Sequence, residues 1–160
     1  MGSVNPTEID LATLAWLTGS AANRYLLASL RSRGHPDVRI SHGYVIQHLI
    51  DREPTISELA RRMQVTQQRA STQIRELEQL GYVTRHPDDT DSRARRVRLT
   101  TRGTELVADS RRVRESLNVE LIGRVGEEHA EVATTTLARL LDLVGGESHV
   151  RRRSAPLPED

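Results

Sequence analysis

The hydrophobic period of this chain changes from helical to alternating and back between Thr55 and Thr101, and that change constrains the fold more than any other feature. Thr55-Ile56-Ser57-Glu58 has the form of a capping box, in which the threonine hydroxyl and the glutamate carboxylate each accept from the other's backbone N–H. A helix is expected from there to Met63. After a break at Gln64-Val65, Thr66 caps a second helix whose buried positions are Ala70, Ile74, Leu77 and Leu80, closed by Gly81. Two helices joined by so short a turn form a helix-turn-helix. Beyond Gly81, Tyr82-Val83-Thr84-Arg85 and Arg96-Val97-Arg98-Leu99 alternate as strands do, separated by a polar stretch from His86 to Ser92. The expected structure is a hairpin following the two helices.

The flanking regions are helical in period. Leu11, Leu14, Ala15, Ala22, Tyr25, Leu26 and Leu30 mark an amphipathic helix from Glu8 to about Arg33, ended by Gly34-His35-Pro36. A shorter helix is expected with Ser41 as its N-cap and Val45, Ile46, Leu49 and Ile50 on one face, stopping near Glu53-Pro54. After the hairpin, one helix is expected from Thr101 to about Ile122. Another is expected from Glu127 to Val144, with Gly123 to Gly126 between them. The fold class is mainly α with a small β-hairpin wing, a winged helix-turn-helix core carrying N- and C-terminal dimerisation helices. The expected divisions are a flexible N-terminus (1–7), an N-terminal dimerisation helix and connection (8–40), a winged helix-turn-helix domain (41–100), C-terminal dimerisation helices (101–144) and a disordered tail (145–160).

Composition narrows the chemistry. With no cysteine among 160 residues, disulfides, thiolate metal sites, thiol redox sensing and cysteine nucleophiles are all excluded. No apolar run suits a membrane span, and the first ten residues lack the layout of a signal peptide, so a cytoplasmic protein without membrane association is expected. The net charge of +1 hides a pattern: all 23 basic side chains of the Lys and Arg class are arginine, and they crowd residues 85–114.

On the second helix of the pair, Gln67, Gln68, Ser71, Thr72 and Arg75 face away from the apolar positions, with Thr66 at the N-terminus. Glutamine matches an adenine edge, arginine matches guanine, and hydroxyls at a helix N-terminus suit phosphate. Such a face is otherwise a plain solvated one. The hairpin adds Arg93, Arg95 and Arg96, besides Arg85 and Arg98, with Asp91 two residues before Arg93. An arginine near a hairpin tip is placed to enter a minor groove, whose negative potential attracts guanidinium groups. Asp91 is expected to shape that tip, by pairing with Arg93 or by capping the turn.

The run from Ile56-Ser57-Glu58-Leu59-Ala60 through Gly81-Tyr82-Val83 to Asp91-Ser92-Arg93-Ala94-Arg95-Arg96-Val97-Arg98-Leu99-Thr100 resembles the MarR family, the multiple antibiotic resistance regulators. Its Asp-x-Arg wing is the most specific part, and the order of helices extends the likeness from Glu8 to about Val144. The resemblance implies a homodimer that places its recognition helices in successive major grooves of a palindromic operator in double-stranded DNA, with each wing at a minor groove. It assigns Arg93 to the minor groove and Asp91 to positioning it. Gln64 departs from the family, many of whose members have glycine in that turn.

The resemblance also implies release from DNA by a small aromatic effector held between the dimerisation helices and the DNA-binding lobe. Trp16, Tyr25, His42, Tyr44 and His48 are the candidate ligand residues, although aromatic residues on a helical face also serve as core or interface, and histidines on a short helix are usually solvated. No resident cofactor or metal is expected, because His42 and His48 do not have the spacing of a helical ligand pair. Two other function classes compete. A winged-helix protein-interaction module would bind DNA weakly and without sequence preference. An enzyme would need a catalytic constellation, and the sequence offers none.

Overall fold

The computed structural model describes residues 5–88, 91 and 93–146. The expected tail with Arg151, Arg152 and Arg153 lies outside these residues. So do Asp89, Thr90 and Ser92 of the hairpin. A 3-10 turn, Pro6–Glu8, precedes α1 (Leu11–Ser32), and α2 (Ile40–Ile46) runs into a second 3-10 turn, Gln47–Leu49. Then follow α3 (Ile56–Met63), α4 (Gln67–Gln79), β1 (Val83–Pro87), β2 (Arg95–Leu99), α5 (Thr101–Val125) and α6 (Glu127–Leu143).

Most helix ends obey local cap chemistry. Asp10, Thr55, Thr66 and Thr100 each accept a backbone N–H three residues on. At Thr55 the reciprocal bond from its own N–H to Glu58 completes the capping box. Gly81, at φ +80°, continues the chain out of α4. Gln64 stands at the C-terminus of α3 in the left-handed region, φ +56° and ψ +40°, where a side chain costs energy that glycine would not.

Boundaries differ from the sequence reading in several places: α1 starts at Leu11 rather than Glu8, and α2 gives way to a 3-10 turn after Ile46 instead of running on as a helix toward Glu53-Pro54. Arg39, not Ser41, is the N-cap of α2, and its backbone N–H donates to His42 Nδ1. The strands reach further, with Pro87 opposite Arg95, and Thr55 forms an isolated bridge to Arg96 while Val97 N–H donates to Pro54 O. Helix α5 runs through Gly123 and breaks only at Gly126, φ +83°.

The core lies in the lobe formed by α2, α3, α4 and the hairpin. Leu59, Met63, Ala70, Ile74, Leu77, Tyr82, Val83 and Val97 are buried there, joined by Val45, Ile46 and Leu49. Leu30, Leu106 and Val113 tie α1 and α5 to it. Burial of this apolar set is the main stabilising term. Helix α5 starts hard against the wing: a Cβ added at Gly103 would stand 2.1 Å from Tyr82 O, so only glycine permits this approach.

A buried polar network pins the connection after α1 to the same place. His35 Nδ1 lies 3.1 Å from the Tyr82 hydroxyl, and Nε2 lies 3.2 Å from Asp109 Oδ2 on α5. Arg102 donates to the Tyr82 hydroxyl and to Gly34 O, with its guanidinium 4.8 Å above the Tyr82 ring. The hydrogen bond from Arg112, followed by that from His35, holds the Asp109 carboxyl below the usual carboxylate range. No helix among the described residues is long and apolar enough to cross a membrane.

Candidate nucleic-acid interface

Gln67, the first residue of α4, shares a cleft with the start of α3 and the wing, bordered also by Thr55, Ser57, Asp91, Arg93 and Arg95. Helix α4 is oriented by Ala70, Ile74 and Leu77, which are wholly buried, so its other face turns outward. Thr66, Gln67, Gln68, Thr72 and Arg75 are exposed on that face, and Ser71 is partly so.

Several of these groups already have partners. The Thr66 oxygen accepts from Arg69 N–H, leaving its hydroxyl proton as a donor. Gln67 Nε2 donates to Ser57 Oγ at 3.1 Å, which braces α4 against α3. Thr72 Oγ1 donates back to Gln68 O, so it offers the outside a methyl group and an oxygen lone pair. Gln68 and Arg75 form no side-chain hydrogen bond to another described side chain, so their polar ends are open to an outside partner.

Both carboxylates of α4 are compensated. Glu76 pairs with Arg39, and Glu78 accepts from Arg85 Nε at 2.9 Å on β1. The Arg85 hydrogen bond is also the main reason that the Glu78 carboxyl sits below its ordinary range. Helix α4 therefore carries its acids as internal ties to α2 and the wing, which would reduce their repulsion of any polyanion at this face.

At the wing, Asp91 Oδ1 accepts from Arg93 N–H at 2.9 Å, and Asp91 O accepts from Ala94 N–H. Of the two roles considered for Asp91, the structure shows the turn cap. Arg93 and Arg95 are exposed. Arg96, also expected at the DNA, is held differently. Its Nε pairs with Asp88, a residue 7% exposed, and its Nη1 donates to Glu53 O at 2.7 Å. Asp88 Oδ1 in turn accepts from Asp91 N–H. Arg96 is thus the base of a relay through Asp88 and Asp91 that shapes the backbone at Arg93, with its guanidinium committed to protein. Ser57 and Asp88 were missed by sequence reasoning. A polar side chain early in α3 and an acid three residues before Asp91 were the available signals.

The five candidate ligand residues separate. Tyr44 borders a cavity of about 420 Å³ among α1, α2 and α5. Trp16 and Tyr25 stay 69% and 50% exposed on α1, outside that cavity. His42 and His48 are buried rather than solvated. His42 Nδ1 accepts from Arg39 N–H, so Nε2 carries the proton and faces Glu76 Oε2 at 3.3 Å. Burial, then the Arg39 charge, lowers its pKa to about 4. These contacts make His42 a neutral structural link between α2 and α4, and it does not border the cavity.

Residues 37–94 match the model of the MarR family. No curated protein matches the chain by sequence. Solved structures share its fold along most of its length. MepR, a transcription regulator of the Staphylococcus aureus multidrug efflux pump MepA, aligns with a TM-score of 0.67 at 20% identity, over 85% of this chain and 99% of that one. YusO from Bacillus subtilis gives 0.67 at 20% identity, over 88% and 99%. FabT of Streptococcus pneumoniae, solved in complex with DNA, gives 0.66 at 22% identity, over 84% and 96%. The helix-turn-helix and most of the wing lie inside the segment that matches the MarR family, and the chain shares the fold of these solved structures along most of its length.

Proposed function

We propose that this protein is a sequence-specific, DNA-binding transcriptional regulator, without enzymatic activity, that acts as a homodimer on a palindromic operator. The observation that carries this reading is the convergence of the α4 N-terminus and the exposed wing arginines Arg93 and Arg95 on one cleft. In that arrangement α4 reads the major groove through Gln68, Thr72 and Arg75, and Arg93 enters the neighbouring minor groove. The likeness to FabT and to MepR, each solved bound to DNA, supports the same reading.

Dimerisation follows from what the arms leave uncovered. Trp16, Leu17, Leu117, Leu121, Val132 and Leu137 are exposed large apolar side chains on α1, α5 and α6. Pairing those helices with a second copy removes them from water, and a twofold axis sets two α4 helices about 34 Å apart, one turn of DNA. The mode of action is repression by occupancy. A small aromatic effector in the cavity between arms and lobe releases the dimer, a reading supported by MepR having been solved bound to ethidium bromide. Coupling of such kind is typically about 1–3 kcal/mol.

Fluorescence anisotropy on duplex DNA from the protein's own upstream region, against scrambled duplex across a salt series, tests this function. Tight binding that prefers the upstream duplex is the expected result. Equal and weak binding to both would replace it with a protein-interaction module. On the preferred duplex, Arg93→Ala is expected to lose about 1–3 kcal/mol of affinity while the dimer stays intact. Unchanged affinity in a folded mutant would remove the wing from the interface.

A further inference from the structure

Arg39 occupies two places at once. It borders the 420 Å³ cavity, and its guanidinium pairs with Glu76 on α4. The cavity has an apolar body, with Leu26, Leu30 and Leu106 among its walls, and three arginines, Arg39, Arg111 and Arg114, line it without any carboxylate. Arg111 and Arg114 are exposed and make no ion pair among the described residues. An apolar chamber with uncompensated guanidinium groups suits an organic anion with a hydrophobic body.

The Arg39 side chain is 57% exposed and that of Glu76 is 34% exposed. A pair so open to water contributes little stability, so a competing carboxylate can displace it. The other tie of Glu76 in this cluster is to His42, whose Nε2–H is neutral and cannot replace the lost positive charge. Losing Arg39 would therefore leave Glu76 with its negative charge unbalanced on the helix that faces DNA.

We propose that Arg39 is the exchange residue of this regulator: an organic anion entering the cavity takes its guanidinium from Glu76, which links cavity occupancy to the setting and charge of α4. This rests on the regulator reading above and adds the contact through which an effector in the cavity acts. The link is reciprocal, because whatever strengthens the Arg39 to Glu76 pair must weaken anion binding by the same factor.

The test uses 2-naphthoate as the anionic probe and 2-naphthalenemethanol as its neutral match, with calorimetry for probe binding and anisotropy for duplex binding. Wild-type protein is expected to bind naphthoate more tightly than the alcohol and to lose about tenfold in duplex affinity when saturated. Glu76→Gln keeps a hydrogen-bond acceptor for His42 but cannot hold the guanidinium by charge. It is expected to bind naphthoate several-fold more tightly than wild type, while the effect of the probe on duplex binding falls to about twofold or less. Arg39→Gln, altered at a largely exposed side chain, should lose the preference for naphthoate over the alcohol. Equal binding of the two probes by wild type, no naphthoate binding, or unchanged naphthoate affinity in Glu76→Gln would overturn the proposal. Failure of the regulator reading has a separate signature: probe-free protein that does not distinguish the duplexes, with the calorimetric differences still present.

Discussion

The lobe and the arms of this protein satisfy opposite conditions. In the lobe, α3 and α4 bury three residues each, and the hairpin closes over them with Tyr82, Val83 and Val97. In the arms, α6 buries none of its 17 residues, and α5 buries only Gly103, Leu106, Asp109 and Val113, all in its first half. The lobe is complete within one chain. The arms are amphipathic helices with one face unmatched, which a second copy of the chain would cover.

The comparison breaks most visibly at matched leucines. Leu77→Ala, in the lobe, should cost about 2–5 kcal/mol in chemical denaturation at any protein concentration. Leu137→Ala, in α6, should show its effect as a weaker dimer in sedimentation, with loss of stability that depends on concentration. If both losses were independent of concentration, the arms would be packed within one chain after all.

Glycines sharpen the same contrast. Gly103→Ala forces a methyl group onto Tyr82 O and should destabilise by about 1–3 kcal/mol. Gly123→Ala, in the α5 arm with nothing within 4 Å of the added Cβ, should gain about 0.5–1 kcal/mol as a helix-interior glycine replaced. A loss at Gly123 instead would place it against the partner helix in the dimer. Thermal melts of the two variants decide this.

A further effect is expected from pH. His42 has a folded pKa of about 4, below its unfolded value near 6.5. The unfolded chain therefore binds the extra proton first, and stability falls as pH drops below about 6.5 toward about 4. Urea titrations from pH 7 to about 5 should show that slope, and it should flatten in His42→Gln. The smallest expected change is at the turn between α3 and α4, where Gln64→Gly relieves a left-handed backbone and should gain about 0.5 kcal/mol in the same titrations.

What could be read from the sequence was what is decided locally. Thr55, Thr66 and Gly81 announce their helix ends because a cap needs only residues within one turn. Asp91 was legible for the same reason, since its cap at Arg93 spans two residues. Arg39 as an N-cap was not legible, because a histidine three residues on accepts from its backbone N–H, the role that glutamate or glutamine usually has in a capping box. The commitment of Arg96 to Glu53 and Asp88, and the burial of His42 beneath Glu76, arise from packing between distant segments and leave no mark on local pattern. Gly123 suggested a break that α5 does not make, since one glycine costs a long helix little.

The central claim is that two copies of the lobe, set by paired arms, read two half-sites. Hydroxyl-radical footprinting of the full chain on its preferred duplex tests it most directly. The account predicts two protected patches related by a twofold axis and centred about one helical turn apart, roughly 10 base pairs, with further protection where each wing meets a minor groove. A single patch, or protection spread evenly along the duplex, would contradict it.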